Sequence, residues 1–118
     1  MNDINFADMV ETLTKDGAII LSETTPRLAN LNHMSIGISG EAGELLDAIK
    51  KHTIYQKKLD VENVIEELGD LEFYLEGLRA CLGITRDETI EANIKKLGKR
   101  YEGFKYSNEA AQERADKK

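Results

Sequence analysis

Two short acidic motifs, Glu41-Ala42-Gly43-Glu44 and Glu67-Leu68-Gly69-Asp70, are the residues of this chain best suited to chemistry. Residues three apart on a helix of 3.6 residues per turn lie about 60° apart around the axis, so each pair forms a two-toothed carboxylate edge. Burying such an edge beside apolar side chains costs several kcal/mol, on the order of a lost buried ion pair, and converging edges also repel one another. A divalent cation removes both penalties. Magnesium takes oxygen ligands, typically one or two carboxylates with waters and substrate phosphates, so an acidic cage with open positions suits a phosphorylated substrate. The competing explanation is ordinary helix decoration, in which surface acids pair with Lys or Arg. The repetition of one design in two helices favours the metal.

The elements that must carry these edges are helical. Thr25-Pro26 is a start signal, with Thr as the cap and Pro at the first helical position, and a long helix follows to about Lys51. Its apolar arc runs through Leu31, Met34, Ile38, Ala42, Leu45 and Ile49, with Glu41 at the border and Glu44 just beyond. Asp60 caps the next helix, which reaches Leu82 and stops at Gly83; its arc is Val64, Leu68, Leu71, Leu75, Leu78 and Leu82, with Glu67 and Asp70 at the equivalent border. Glu44 lies about 10 Å before the end of the first helix and Glu67 about 10 Å after the start of the second, so an antiparallel hairpin brings the motifs level. Gly37, Gly40 and Gly43 each cost the first helix about 1 kcal/mol relative to Ala, which calls for close approach of another helix or a ligand.

Flanking segments follow the same period. Asn5 caps a short helix to about Leu13, Asp16-Gly17 breaks it, and residues 18 to 24 read equally as a helical turn or an extended run. Thr85 to Glu88 is a capping box opening a helix to about Tyr101, and Ser107 caps a polar, fray-prone piece from Asn108 to about Asp116. The helix after Thr85 turns Ile90, Ile94, Leu97 and Tyr101 to the core and carries Asn93, Lys96 and Arg100 along one flank, which reads either as a phosphate-holding edge or as a solvated basic face with Lys95 and Lys99. His33, nearly on the side of Glu44, is either structural or a base-contacting residue.

The 118 residues are read as one all-α domain, 1–118, with a core of about 26–104 and a polar helical tail at 107–118. Its architecture is an antiparallel bundle of four to five helices whose faces are too few to close alone, so a homodimer or homotetramer is expected. A net charge of −6 argues against a binder of nucleic-acid polymers. No stretch is apolar enough to span a membrane and the opening residues do not form a secretory signal. The single cysteine, Cys81, permits neither an intramolecular disulfide nor a thiolate zinc site, so a cytoplasmic setting is expected.

The stretches Gly40 to Lys50, Glu66 to Leu71 and Asn93 to Tyr101 together resemble the MazG-like nucleotide pyrophosphohydrolases, in order and spacing, from about His33 to Phe104. The ending from Phe104 is similar to that of small single-domain members, including phage-encoded ones. The resemblance implies Mg²⁺-dependent hydrolysis of a nucleoside triphosphate to a monophosphate and pyrophosphate, with Mn²⁺ as a substitute metal. It implies Glu41, Glu44, Glu67 and Asp70 as metal ligands and Asn93, Lys96 and, less directly, Arg100 as substrate contacts. Arg100 serves equally to brace the C-terminal segment. Many relatives carry Glu-Glu where this chain has Gly40-Glu41, so that extra carboxylate is lost. One carboxylate orients or deprotonates the attacking water, Glu41 first and Glu44 second, on the expectation that Glu41 is the most desolvated. Phe73, Tyr74, Tyr55 or His33 are the candidates for stacking on a base. The alternative function is a non-enzymatic acidic helical module that binds a protein partner. A di-iron bundle is disfavoured because neither His33 nor His52 follows a Glu by three.

Overall fold

The computed structural model describes residues 3–117. Residues 1, 2 and 118, part of the expected domain and tail, lie outside the described residues. The chain is all-α, with helices α1 (Phe6–Leu13), α2 (Gly17–Glu23), α3 (Pro26–Thr53), α4 (Val61–Leu82), α5 (Arg86–Arg100) and α6 (Asn108–Glu113), and single 3-10 turns at Glu102–Phe104 and Ala115–Lys117. No described helix is long and apolar enough to cross a membrane.

Each α-helix starts where a side chain can satisfy an otherwise orphaned amide. Asn5, Asp16, Thr25, Asp60, Thr85 and Ser107 accept hydrogen bonds from N–H groups of their first turns at 2.9–3.2 Å. Asp16 therefore does more than end α1: it opens α2, which resolves the ambiguous run at 18–24 as helix. At the other end of α4, Gly83 takes φ +68°, and the Ile84 and Gly83 amides bond back to Arg79 and Ala80 at 3.1 and 3.2 Å. This is a Schellman closure, which needs the left-handed residue. The His52 ring nitrogen Nδ1 lies 2.8 Å from the Lys57 carbonyl and ties the loop that turns α3 into α4.

α3 and α4 form the best-packed part of the chain. Met34 lies against Gly77 and Tyr74 against Gly37, so the partners step in opposite directions along the two helices and the pair is antiparallel, as the spacing requires. The covered positions include Leu31, Met34, Ile38, Glu41, Leu45 and Ala48 on α3 and Val64, Glu67, Leu71, Tyr74, Leu78 and Cys81 on α4. The alternating spacing of three and four among these is that of a heptad seam. Glu41 and Glu67 thus occupy the seam itself rather than the border position expected from the apolar arcs. The arcs are split accordingly. Leu28, Ala42 and Ile49 on α3 and Val61, Leu68 and Leu82 on α4 remain exposed, on the side of the hairpin away from Glu44 and Asp70.

The described part of the C-terminal segment folds back onto α5. α6 stops at Glu113, three residues short of the expected end, because Arg114 turns left-handed at φ 52°. That turn sends Asp116 back to Arg100, whose Nε and second guanidinium nitrogen donate to its two carboxylate oxygens at 2.9 and 3.3 Å, the Asp116 side chain being only 2% exposed.

The chain as a whole is open. Its radius of gyration is 20.4 Å, where about 13 Å is usual for a compact domain of this length. Its accessible surface of 9786 Å² is about 1.5 times that of a compact monomer of this mass. Among the described residues only Ala48 is buried, at 7% exposure.

The close contacts yield a prediction. A Cβ on Gly37 would strike the Tyr74 ring, whereas one on Gly77 would strike the Met34 thioether, which can swing aside. Overpacking costs about 1–3 kcal/mol and removing a helical glycine returns about 1 kcal/mol. Gly37→Ala should therefore lower the thermal midpoint by several degrees, while Gly77→Ala should change it little; thermal circular dichroism of the two variants checks this.

Candidate metal centre

The hairpin brings three of the four motif carboxylates together. Glu41 from α3 and Glu67 and Asp70 from α4 each offer an oxygen within 4.8 Å of the other two. The seam positions of Glu41 and Glu67 set this distance, and the three-residue step on α4 adds Asp70 beside them. Glu44, one turn along α3, is exposed and outside this tight trio, though its charge still reaches Glu67.

Glu67 bears the electrostatic cost. Its pKa is raised, first by desolvation in the seam and then by the charges of Glu41, Glu44 and Asp70, with a hydrogen bond shared with Glu41. Each of these causes acts in the same direction, and among the described residues no ion pair to Glu67 offsets them. The upward shift falls on Glu67, where desolvation leads and the acids of both helices add to it; Glu41 and Glu67 are both half-buried. Oxygen-only donors at this spacing, with no cation of their own, suit a hard divalent ion such as Mg²⁺ or Mn²⁺ better than a soft one.

A cleft of about 310 Å³ opens beside the trio, lined by Glu41, Asp70, Phe73 and Tyr74. The Phe73 and Tyr74 rings meet edge to face at 5.2 Å, and His33 reaches the Tyr74 ring at 6.2 Å. Three of the four stacking candidates therefore form one aromatic step at the mouth of the cleft. Tyr55 lies apart, under the Lys50 ammonium at 5.5 Å.

The α5 flank is elsewhere. Lys96 lines a separate pocket of about 290 Å³ with Lys95, Lys99, Asp116 and Lys117, and no motif carboxylate borders it. Asn93 is exposed on α5. Arg100 is taken by Asp116, whose pKa is lowered by the guanidinium hydrogen bond. Sequence reasoning did not anticipate Asp116 as that partner, since only the left-handed turn at Arg114 brings it back to α5.

These shifts fix a pH dependence. A folded pKa above the unfolded one means that Glu67 contributes most below the unfolded value, and this contribution is lost as pH rises through the folded value. Asp116 acts oppositely, its contribution being present above the ordinary aspartate value and lost only as pH falls through its lowered one. In EDTA the thermal midpoint should fall as pH rises from the ordinary glutamate range toward neutrality. Glu67→Gln should flatten that slope, and saturating Mg²⁺ should abolish it in the parent chain.

Comparison with known proteins gives one match: the family model of the MazG nucleotide pyrophosphohydrolase domain fits residues 30–104. No curated protein and no solved structure matches the chain. The matched span contains most of α3 and all of α4 and α5, and so both carboxylate motifs, but neither α1 nor α2.

Proposed function

This chain belongs to the MazG nucleotide pyrophosphohydrolase family, and from that premise we propose that it is a Mg²⁺-dependent enzyme converting a ribo- or deoxyribonucleoside triphosphate and water to the monophosphate and pyrophosphate. The observation that carries this reading is the convergence of Glu41, Glu67 and Asp70 on one point, with no ion pair to Glu67 among the described residues. Glu41, Glu67 and Asp70 would hold the metal, with Glu44 as a fourth ligand or as its neighbour. When bound, Mg²⁺ neutralises phosphate oxygens and orients them, with Mn²⁺ able to replace it.

The residues divide the remaining work. Glu41 belongs to the trio and lines the cleft, so it is the first candidate to take the proton of the attacking water as the water oxygen bonds to phosphorus and pyrophosphate leaves, with Glu44, exposed and outside the trio, the second. The seam leaves Glu41 and Glu67 half-buried, which strengthens their charge interactions relative to open water.

We assign Asn93 and Lys96 to the substrate phosphates, with Arg100 and its Asp116 partner holding the flank in place and His33 acting through the aromatic step. Because that flank and the carboxylate cleft line different pockets of one chain, it is a second copy that would deliver α5. A homodimer or homotetramer also accounts for a surface about half as large again as a compact monomer exposes. The expected setting is cytoplasmic.

Pyrophosphate release from a panel of nucleoside triphosphates should require Mg²⁺ and stop in EDTA. Glu67→Gln and Glu41→Gln should each lower kcat by about 10²-fold or more, in the range for a lost catalytic group. Silence across the panel from a folded protein would favour the acidic binding module instead. Multi-angle light scattering should give a dimer or larger; a monomer at working concentration would remove the shared-site part of this proposal.

A further inference from the structure

Beyond the carboxylate cleft, on the same side of the hairpin, lies a larger apolar groove of about 630 Å³ whose lining includes Asn30, Met34, Glu72, Phe73, Gly77 and Ala80. It meets the cleft at Phe73, which lines both. Met34 precedes Glu41 by two turns and Gly77 follows Asp70 by two turns, so the groove begins about 10 Å from the trio along both helices. That is on the order of the distance separating the phosphates of a nucleotide from its base.

The floor of the groove suits a planar ring. Gly77 has no side chain, and the Met34 thioether lies directly over its backbone, giving a flat and polarisable surface. Phe73, 67% exposed, stands as a wall with a face still free to stack. Asn30 and Glu72 are the polar groups at the rim that are free to act. Glu76, also at the rim, is held by Arg79 at 2.9 Å, whereas Glu72 has no hydrogen bond or ion pair among the described residues.

We propose that this groove is the nucleoside pocket of the site, and that Glu72 selects bases bearing an exocyclic amino group over uracil and thymine. The inference rests on the nucleotide-hydrolase reading and extends it to the substrate. An ionised carboxylate only accepts hydrogen bonds. Adenine, cytosine and guanine offer it an amino donor. Uracil and thymine flank their one ring donor with two carbonyls, which a carboxylate repels, and an unmatched polar edge is a strong source of discrimination.

The test compares steady-state kinetics with ATP, CTP, GTP and UTP for the parent chain, Ala80→Phe and Glu72→Gln. Ala80 is exposed on α4, so Phe there fills the groove without disturbing the seam. Ala80→Phe should raise KM about tenfold or more for every substrate, and Glu72→Gln should reduce the preference for CTP over UTP about threefold to tenfold, the scale of one hydrogen bond to a charged group at the rim. Unchanged KM in the first variant, or unchanged preference in the second, would overturn the proposal. If the parent chain hydrolyses nothing, the hydrolase reading fails separately. The groove is then judged by nuclear magnetic resonance titration with CMP, AMP and UMP. Shifts at the Gly77 and Ala80 amides with CMP and AMP that vanish in Ala80→Phe would sustain it, and their absence would end it.

Discussion

The like-charge pair at the centre of the α3/α4 seam, Glu41 against Glu67, is the constraint to which the rest of the structure answers. A heptad seam normally places apolar side chains at every such position. Here two carboxylates face each other, with Asp70 alongside, and Glu67 is pushed toward its neutral form by desolvation and by its neighbours. The apolar residues on either side, Ile38 and Leu45 on α3 and Val64 and Leu71 on α4, must hold the helices together against that repulsion. The capped start of α4 and the Schellman closure at its end keep the register from slipping. A seam that carries such a cost is most simply understood as prepared for a cation.

The same geometry divides the hairpin into two sides with different tasks. One carries the trio, the aromatic step of Phe73, Tyr74 and His33, and the groove over Gly77. The other exposes Leu28, Ile49, Val61, Leu68 and Leu82, about the composition of a domain core cut in half. Placing the acids to one side of the seam leaves this apolar face free to pack without interfering with the cleft. α5 and its C-terminal brace form a third unit, in which Arg100 and Asp116 convert a polar tail into a fixed support for the lysine-rich flank.

Much of this was legible in the sequence because it depends on local chemistry. Thr25-Pro26, Asp60, Gly83 and the Thr85 to Glu88 box mark helix ends through backbone hydrogen bonds that involve only neighbouring residues. The facing of the two acidic motifs followed from rise per residue. What the sequence left open depended on packing. The apolar arcs placed Glu41 and Glu67 at a border, yet both are covered positions of the seam, along which Tyr74 lies against Gly37 and Met34 against Gly77. The return of Asp116 to Arg100 hinges on one left-handed residue, Arg114, for which a non-glycine sequence gives little warning. The separation of the α5 flank from the carboxylates is likewise a matter of tertiary placement, which spacing along one helix does not encode.

The central claim is that the Glu41, Glu67 and Asp70 cluster is a divalent-cation site, and Mn²⁺ binding followed by electron paramagnetic resonance at neutral pH tests it most directly. The account predicts saturable binding by the parent chain, competed by Mg²⁺ and lost in Glu67→Gln while the helical content is kept. Binding of equal strength in the parent and in Glu67→Gln, or no saturable binding in either, would contradict it.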